Sequence, residues 1–152
     1  MSVELKQVYK AAVVGFGGMG SFHLQLAKDI DRLEYVGSYD IKEDRQEAAR
    51  QAGLKTYDSL DELLKDDSID IILIATPNDV HKDIAVRGME AGKHIICEKP
   101  VTMNSAELQE MIDASERTGK HLFVHQNRRW DEDFLTMKKI YDQDMLGEIF
   151  AI

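Results

Sequence analysis

Five short apolar runs recur along the chain at intervals of about 25 to 30 residues: Ala11–Phe16, Tyr35–Asp40, Ile69–Thr76, His94–Glu98 and His121–His125. Four of them carry apolar residues at neighbouring positions (AVVG, IILIA, HIIC and HLFV) where a half-exposed strand would alternate. Such runs predict strands buried on both faces, as in a parallel sheet covered by helices. The segments between them read as helices. Asn104 with Glu107, and Ser59 with Glu62, form capping boxes ahead of Leu108, Met111 and Ile112 and of Leu63 and Leu64. Gly53, Gly92 and Gly119 each stand where a helix must stop before the next strand, a position that favours a left-handed residue. Helix, glycine and strand repeating in this order predict βαβ units, hence an α/β fold with a doubly wound parallel sheet.

The rhythm changes near the C-terminus. Trp130–Asp144 reads as an amphipathic helix with Phe134, Met137, Ile140 and Tyr141 on one face, ended by Gly147. Glu148–Ile152 then begins another strand-like run. This pattern predicts a first domain over 1–125 and the beginning of a second over 126–152, most of which is absent. Trp130 and Phe134 could belong to a core or to an interface with that second domain.

Composition narrows the classes. The chain has 152 residues, 43% of them hydrophobic and 31% charged, which suits an ordered globular domain. With 19 Lys and Arg against 28 Asp and Glu, the net charge is -9, and such a surface repels nucleic acid and anionic lipid. The longest apolar stretch contains Asp70 and is too short to span a bilayer, and the N-terminus lacks an apolar export signal. A single cysteine, Cys97, cannot form an intrachain disulfide. A cytoplasmic protein with no membrane or nucleic-acid partner is expected.

Gly15, Gly17 and Gly20 form G-x-G-x-x-G directly after the first predicted strand, with Phe16, Gly18 and Met19 between them. In that setting the first glycine permits the tight turn, the second admits a pyrophosphate to the backbone, and the third lets helix and strand pack closely. The free N–H groups at the helix start attract the phosphates. Asp40 lies twenty residues after Gly20, at the end of the second strand, with Ile41 next to it. A carboxylate there accepts the adenosine ribose hydroxyls and repels a 2′-phosphate, so NAD is favoured and NADP is expected to bind less well. Asp40 could instead be a strand-end turn residue. Lys42 and Arg45 stand close enough to soften the preference.

Ala75, Thr76, Pro77 and Asn78, with His81, follow the long apolar strand, where ligands sit in open α/β sheets. Asn78 could equally cap the next helix. Glu98, Lys99 and Pro100 end the following strand and face the same crevice. Lys99 there could donate to a substrate hydroxyl or take its proton, or it could be a solvated charge. His23 reads as a helix-packing residue, and His121 and His125 lie about 13 Å apart along a strand, too far to share a metal. The histidines otherwise scatter, so no metal site is expected. Cys97 reads as a small buried apolar residue.

GFGGMG, ATPNDVH, AGKHIICEKP and HQNRRWDEDF, in this order and spacing, resemble the glucose–fructose oxidoreductase/inositol dehydrogenase family (Gfo/Idh/MocA) over essentially the whole chain. The resemblance implies a two-domain NAD(P)-dependent oxidoreductase of a sugar or polyol. An N-terminal Rossmann domain would precede a C-terminal α/β domain on a large open sheet. It further implies that Lys99 assists hydride transfer at the substrate hydroxyl. By the same resemblance Glu98 and Pro100 line the nicotinamide ribose, while Thr76, Pro77, Asn78 and His81 form the loop beneath the cofactor. Gln126, Asn127 and Arg128 would cross to the second domain beside the nicotinamide. Family members run well beyond this length, and the acid–base partners of the lysine would lie in the part absent here. A homo-oligomer is expected. The alternative reading is a non-catalytic NAD-binding module.

Overall fold

The computed structural model describes residues 8–148. Six strands form one parallel sheet: β1 (Tyr9–Val14), β2 (Leu33–Tyr39), β3 (Lys55–Thr56), β4 (Ile71–Ile74), β5 (His94–Cys97) and β6 (Leu122–Val124). Their order across the sheet is β3-β2-β1-β4-β5-β6. Six α-helices accompany them: α1 (Gly18–Leu26), α2 (Glu43–Gln51), α3 (Leu60–Leu64), α4 (His81–Glu90), α5 (Ser105–Thr118) and α6 (Glu132–Asp142). The chain reverses its direction of winding between β1 and β4, the place where doubly wound sheets hold nucleotides.

Alternation along the central strands distributes the core between two layers. Ala12, Val14, Ile72, Ile74, Ile95 and Cys97 face α3, α4 and α5, meeting Leu63, Ile84, Met89 and Met111. Ala11, Val13 and Leu73 point the other way, toward Phe16, Ala27, Ala49 and Leu54. The predicted helix stops hold: Gly53, Gly92 and Gly119 all have φ between 67 and 87°. Both N-caps form, with Ser59 Oγ accepting from Glu62 N–H at 3.1 Å and Asn104 Oδ1 from Glu107 N–H at 3.0 Å, while the two Glu side chains accept from the N–H one residue before each cap.

The sequence pattern needs three corrections. The two-residue strand β3 went unread, because Lys55 and Thr56 carry no apolar signal. His121–His125 forms an edge strand and is not buried on both faces, since Phe123 is 57% exposed. The helix expected from Trp130 starts at Glu132, after a separate 3₁₀ turn over Asn127–Trp130, and none of its residues is buried. Trp130 is 73% exposed, so neither it nor half-exposed Phe134 joins the described core. The strand-like run Glu148–Ile152 lies outside the described residues except for Glu148 itself. Among the described residues, no helix is long and apolar enough to cross a membrane.

Candidate functional site: a cleft at the strand ends

The glycine loop joins β1 to α1 and is shaped by what each glycine must avoid. Gly15 adopts φ 93°, and a Cβ there would come within 2.7 Å of the Ala75 carbonyl oxygen. At Gly20 a Cβ would meet Gly15 O at 2.4 Å and Val13 Cγ1 at 2.9 Å. These contacts hold α1 tight against β1 and β4. At Gly17 the same construction finds nothing within 4 Å, so its open side is free for a ligand to approach the backbone. Gly17 caps α1 with no side-chain acceptor, and the first turn of the helix carries no acid. No acid of its own first turn therefore offsets the positive end of this helix.

Asp40 stands at the end of β2 and reaches across to this loop. Its Oδ2 accepts the Phe16 N–H at 2.8 Å, while Oδ1 accepts the Lys42 N–H at 2.9 Å. Between them lies a cleft of about 600 Å³. Gly15, Gly17, Asp40, Ile41, Arg45, Ala75, Thr76 and Pro77 all line it. Phe16 is buried below the loop, and Met19 is partly exposed on α1. Thr76 Oγ1 is buried and has no hydrogen-bond partner among the described residues. An unspent buried hydroxyl, an open glycine and an uncapped helix start fit a phosphate-bearing ligand.

Val80, Asp83, Ile84 and Arg87 also line the cleft, and the sequence reading missed them. Their three- and four-residue spacing, from the Val80 N-cap into α4, was the available signal. Asn78 opens the 3₁₀ turn that precedes α4 and makes no capping bond there. His81 is wholly buried. Its Nε2 lies 2.9 Å from Thr76 O and its Nδ1 3.1 Å from Pro100 O, so the ring sits between the two strand-end loops and in its neutral form donates to one of these carbonyls.

Glu98, Lys99 and Pro100 form the corner after β5, with a cis Lys99–Pro100 peptide. Lys99 is exposed, while Glu98 is buried and collects two histidines. Glu98 Oε1 lies 2.7 Å from His23 Nε2 and 2.8 Å from His125 Nδ1. Burial pushes the Glu98 carboxyl up, but hydrogen bonds and charge from His23 and His125 outweigh it and hold the group below its ordinary range. The expectation of scattered histidines is thus corrected, because His23 and His125 converge on one acid. Their ligand atoms and that of Glu98 all lie within 4.8 Å of one another. The two short contacts are hydrogen bonds. Ligand atoms around a tetrahedral zinc would stand about 3.3 Å apart.

Cys97 is buried, and burial, with the Glu98 charge adding, pushes its thiol up to about 12, which suits a packing role. Gln126, Asn127 and Arg128 follow β6 on the surface, with Arg128 Nη1 2.7 Å from Asp131 Oδ2.

Comparison with known proteins agrees with this geometry. A family model described as oxidoreductase family, NAD-binding Rossmann fold (GFO_IDH_MocA), matches residues 9–126. An NAD-binding protein from Listeria innocua superposes with a TM-score of 0.91 at 52% identity, over 95% of this chain and 43% of that one. Inositol 2-dehydrogenase of Salmonella typhimurium is 33% identical over 144 residues, 91% of this chain and 43% of that protein. The NADP-dependent scyllo-inositol 2-dehydrogenase IolW of Bacillus subtilis is 33% identical over 142 residues, 92% of this chain and 39% of that protein. The chain spans about two fifths of the length of these curated relatives.

Proposed function

Because this chain belongs to the Gfo/Idh/MocA oxidoreductase family, whose NAD-binding Rossmann fold it carries, we propose that it is the dinucleotide-binding part of an NAD-dependent sugar or polyol dehydrogenase. The observation that supports this most is a shared edge. The glycine loop and Asp40 border the cleft, and the Glu98–Lys99–Pro100 corner, which lies outside its lining, follows a parallel strand at the same C-terminal edge of the sheet. When bound, nicotinamide would supply the hydride acceptor or donor.

The chain's own residues do the rest. Gly17 and the start of α1 hold the pyrophosphate. Asp40 accepts the ribose hydroxyls through lone pairs left over from its two backbone bonds, and its charge opposes a 2′-phosphate. NAD is therefore preferred over NADP. Lys99, exposed on its corner, donates a hydrogen bond to the substrate hydroxyl or accepts its proton. Gln126, Asn127 and Arg128 flank the nicotinamide where the chain leaves β6 for a second domain near residue 126. The inositol dehydrogenase relatives support a cyclic polyol as substrate.

The test is NAD reduction by the protein that carries this chain, supplied with inositols and common sugars. Growth of NADH absorbance dependent on one of these polyols is expected. Absence of turnover across the panel, with NADH demonstrably bound, would contradict the assigned reaction.

A further inference from the structure

We infer that His23 and His125 are positioning residues for the nicotinamide half of the dinucleotide, acting through the carboxylate of Glu98. The inference rests on the reading of the cleft as a dinucleotide site.

Three separate elements meet at one oxygen atom. His23 belongs to α1, three residues beyond the last glycine of the loop; Glu98 follows β5; His125 follows β6. A carboxylate oxygen can only accept, so both rings donate to Glu98 Oε1, at 2.7 and 2.8 Å. The two imidazoles also pack edge to face, with centroids 4.4 Å apart. The other oxygen, Oε2, lies 3.3 Å from the Lys99 backbone N–H. The buried carboxylate is thus fixed at both ends and holds the corner just ahead of Lys99. On the far side of Lys99, His81 Nδ1 stands 3.1 Å from the Pro100 carbonyl. The lysine side chain is exposed, but buried Glu98 and His81 flank the backbone on each side of it.

Sheet order assigns this bracket to one half of the ligand. Asp40 closes β2, and β5 lies three strands away across β1 and β4. At the usual strand spacing that separation is about 14 Å. AMP held at Asp40 therefore reaches the glycine loop without touching the Glu98 corner, whereas a dinucleotide extends over it. A merely structural role for His23, on the helix that also carries the phosphate turn, would weaken both ligands together.

The chain is titrated with NADH and with AMP, in the native form and in the variants His23→Ala, His125→Ala, His23→Gln and His125→Asn. Each alanine variant leaves a buried carboxylate short of a donor. NADH binding should fall about tenfold while AMP binding stays within about twofold. The glutamine and asparagine variants place an N–H near the lost ring nitrogen and should recover most of the NADH affinity. The unsubstituted chain supplies the same test where alanine prevents folding: the His23 and His125 imidazole resonances should shift on adding NADH and stay still with AMP. Equal losses for the two ligands, unchanged NADH affinity, or resonances indifferent to NADH would overturn the inference and leave the cofactor reading standing. Failure of the native chain to bind NADH at all would remove both.

Discussion

Asp40 Oδ2 accepts the backbone N–H of Phe16 at 2.8 Å, so the acid at the end of β2 is built into the glycine loop that it faces. One carboxylate thereby shapes the glycine loop and, in the proposed function, presents a charge to the adenosine ribose. Asp40→Ala should weaken NADH binding by roughly 1–3 kcal/mol and also lower the melting temperature, because two backbone donors lose their acceptor. Asp40→Asn keeps one of the two acceptor oxygens and turns a donor toward the other N–H, so it should recover only part of the stability while losing discrimination against NADPH. Calorimetric titration and thermal melts on the two variants separate these effects.

Gly17 and Gly20 should respond in opposite ways to the same added methyl group. Gly20→Ala puts a Cβ 2.4 Å from a backbone oxygen and should destabilise the fold by about 1–3 kcal/mol. Gly17→Ala meets no protein atom within 4 Å and should melt almost as the native chain does. Its methyl group occupies the approach to the backbone, so NADH affinity should fall sharply. Melting curves paired with NADH titrations would count against this account if Gly17→Ala bound NADH normally.

Lys99 is exposed, and its side chain supports no part of the core. In the catalytically complete protein, Lys99→Ala should reduce turnover by more than about tenfold, as loss of a proton-transfer group does. The melting temperature should hardly change. Retained turnover with lost stability would return Lys99 to an ordinary surface charge.

A separate acid governs the stability of the β3 side. Hydrogen bonds from Ser68, then Tyr57 and Lys55, hold Asp66 well below the usual carboxylate range. Tyr57 Oη donates to Asp66 Oδ2 at 2.7 Å. A depressed folded-state value means this stabilisation is present above the ordinary aspartate range and fades as pH falls below about 4. Asp66→Asn should therefore melt earlier than the native chain at neutral pH, with the gap closing on acidification. A gap that stayed constant from neutral to acid pH would deny Asp66 this role.

Much of this arrangement was legible because parallel sheets write themselves plainly. Unbroken apolar runs such as Ile71–Ile74 mark strands covered on both sides, and Gly53, Gly92 and Gly119 punctuate the helices between them. The glycine loop and Asp40 are local in sequence, so their spacing exposed them. The Glu98 bracket was not local: His23 and His125 lie 75 and 27 residues from the acid that joins them. Only the pairing of β5 with β6, and the contact of α1 with the end of β5 through His23, makes them neighbours. Phe123 misled for a related reason, since an edge strand at the end of a parallel sheet keeps the apolar composition of its buried partners.

The most direct measurement is calorimetric titration of the chain with NADH and with NADPH under identical conditions. Saturable binding of one NADH per chain is expected, with NADPH weaker if Asp40 meets the 2′ position as proposed. Binding of neither nucleotide would contradict the assignment of the cleft, and tighter binding of NADPH would contradict the role given to Asp40.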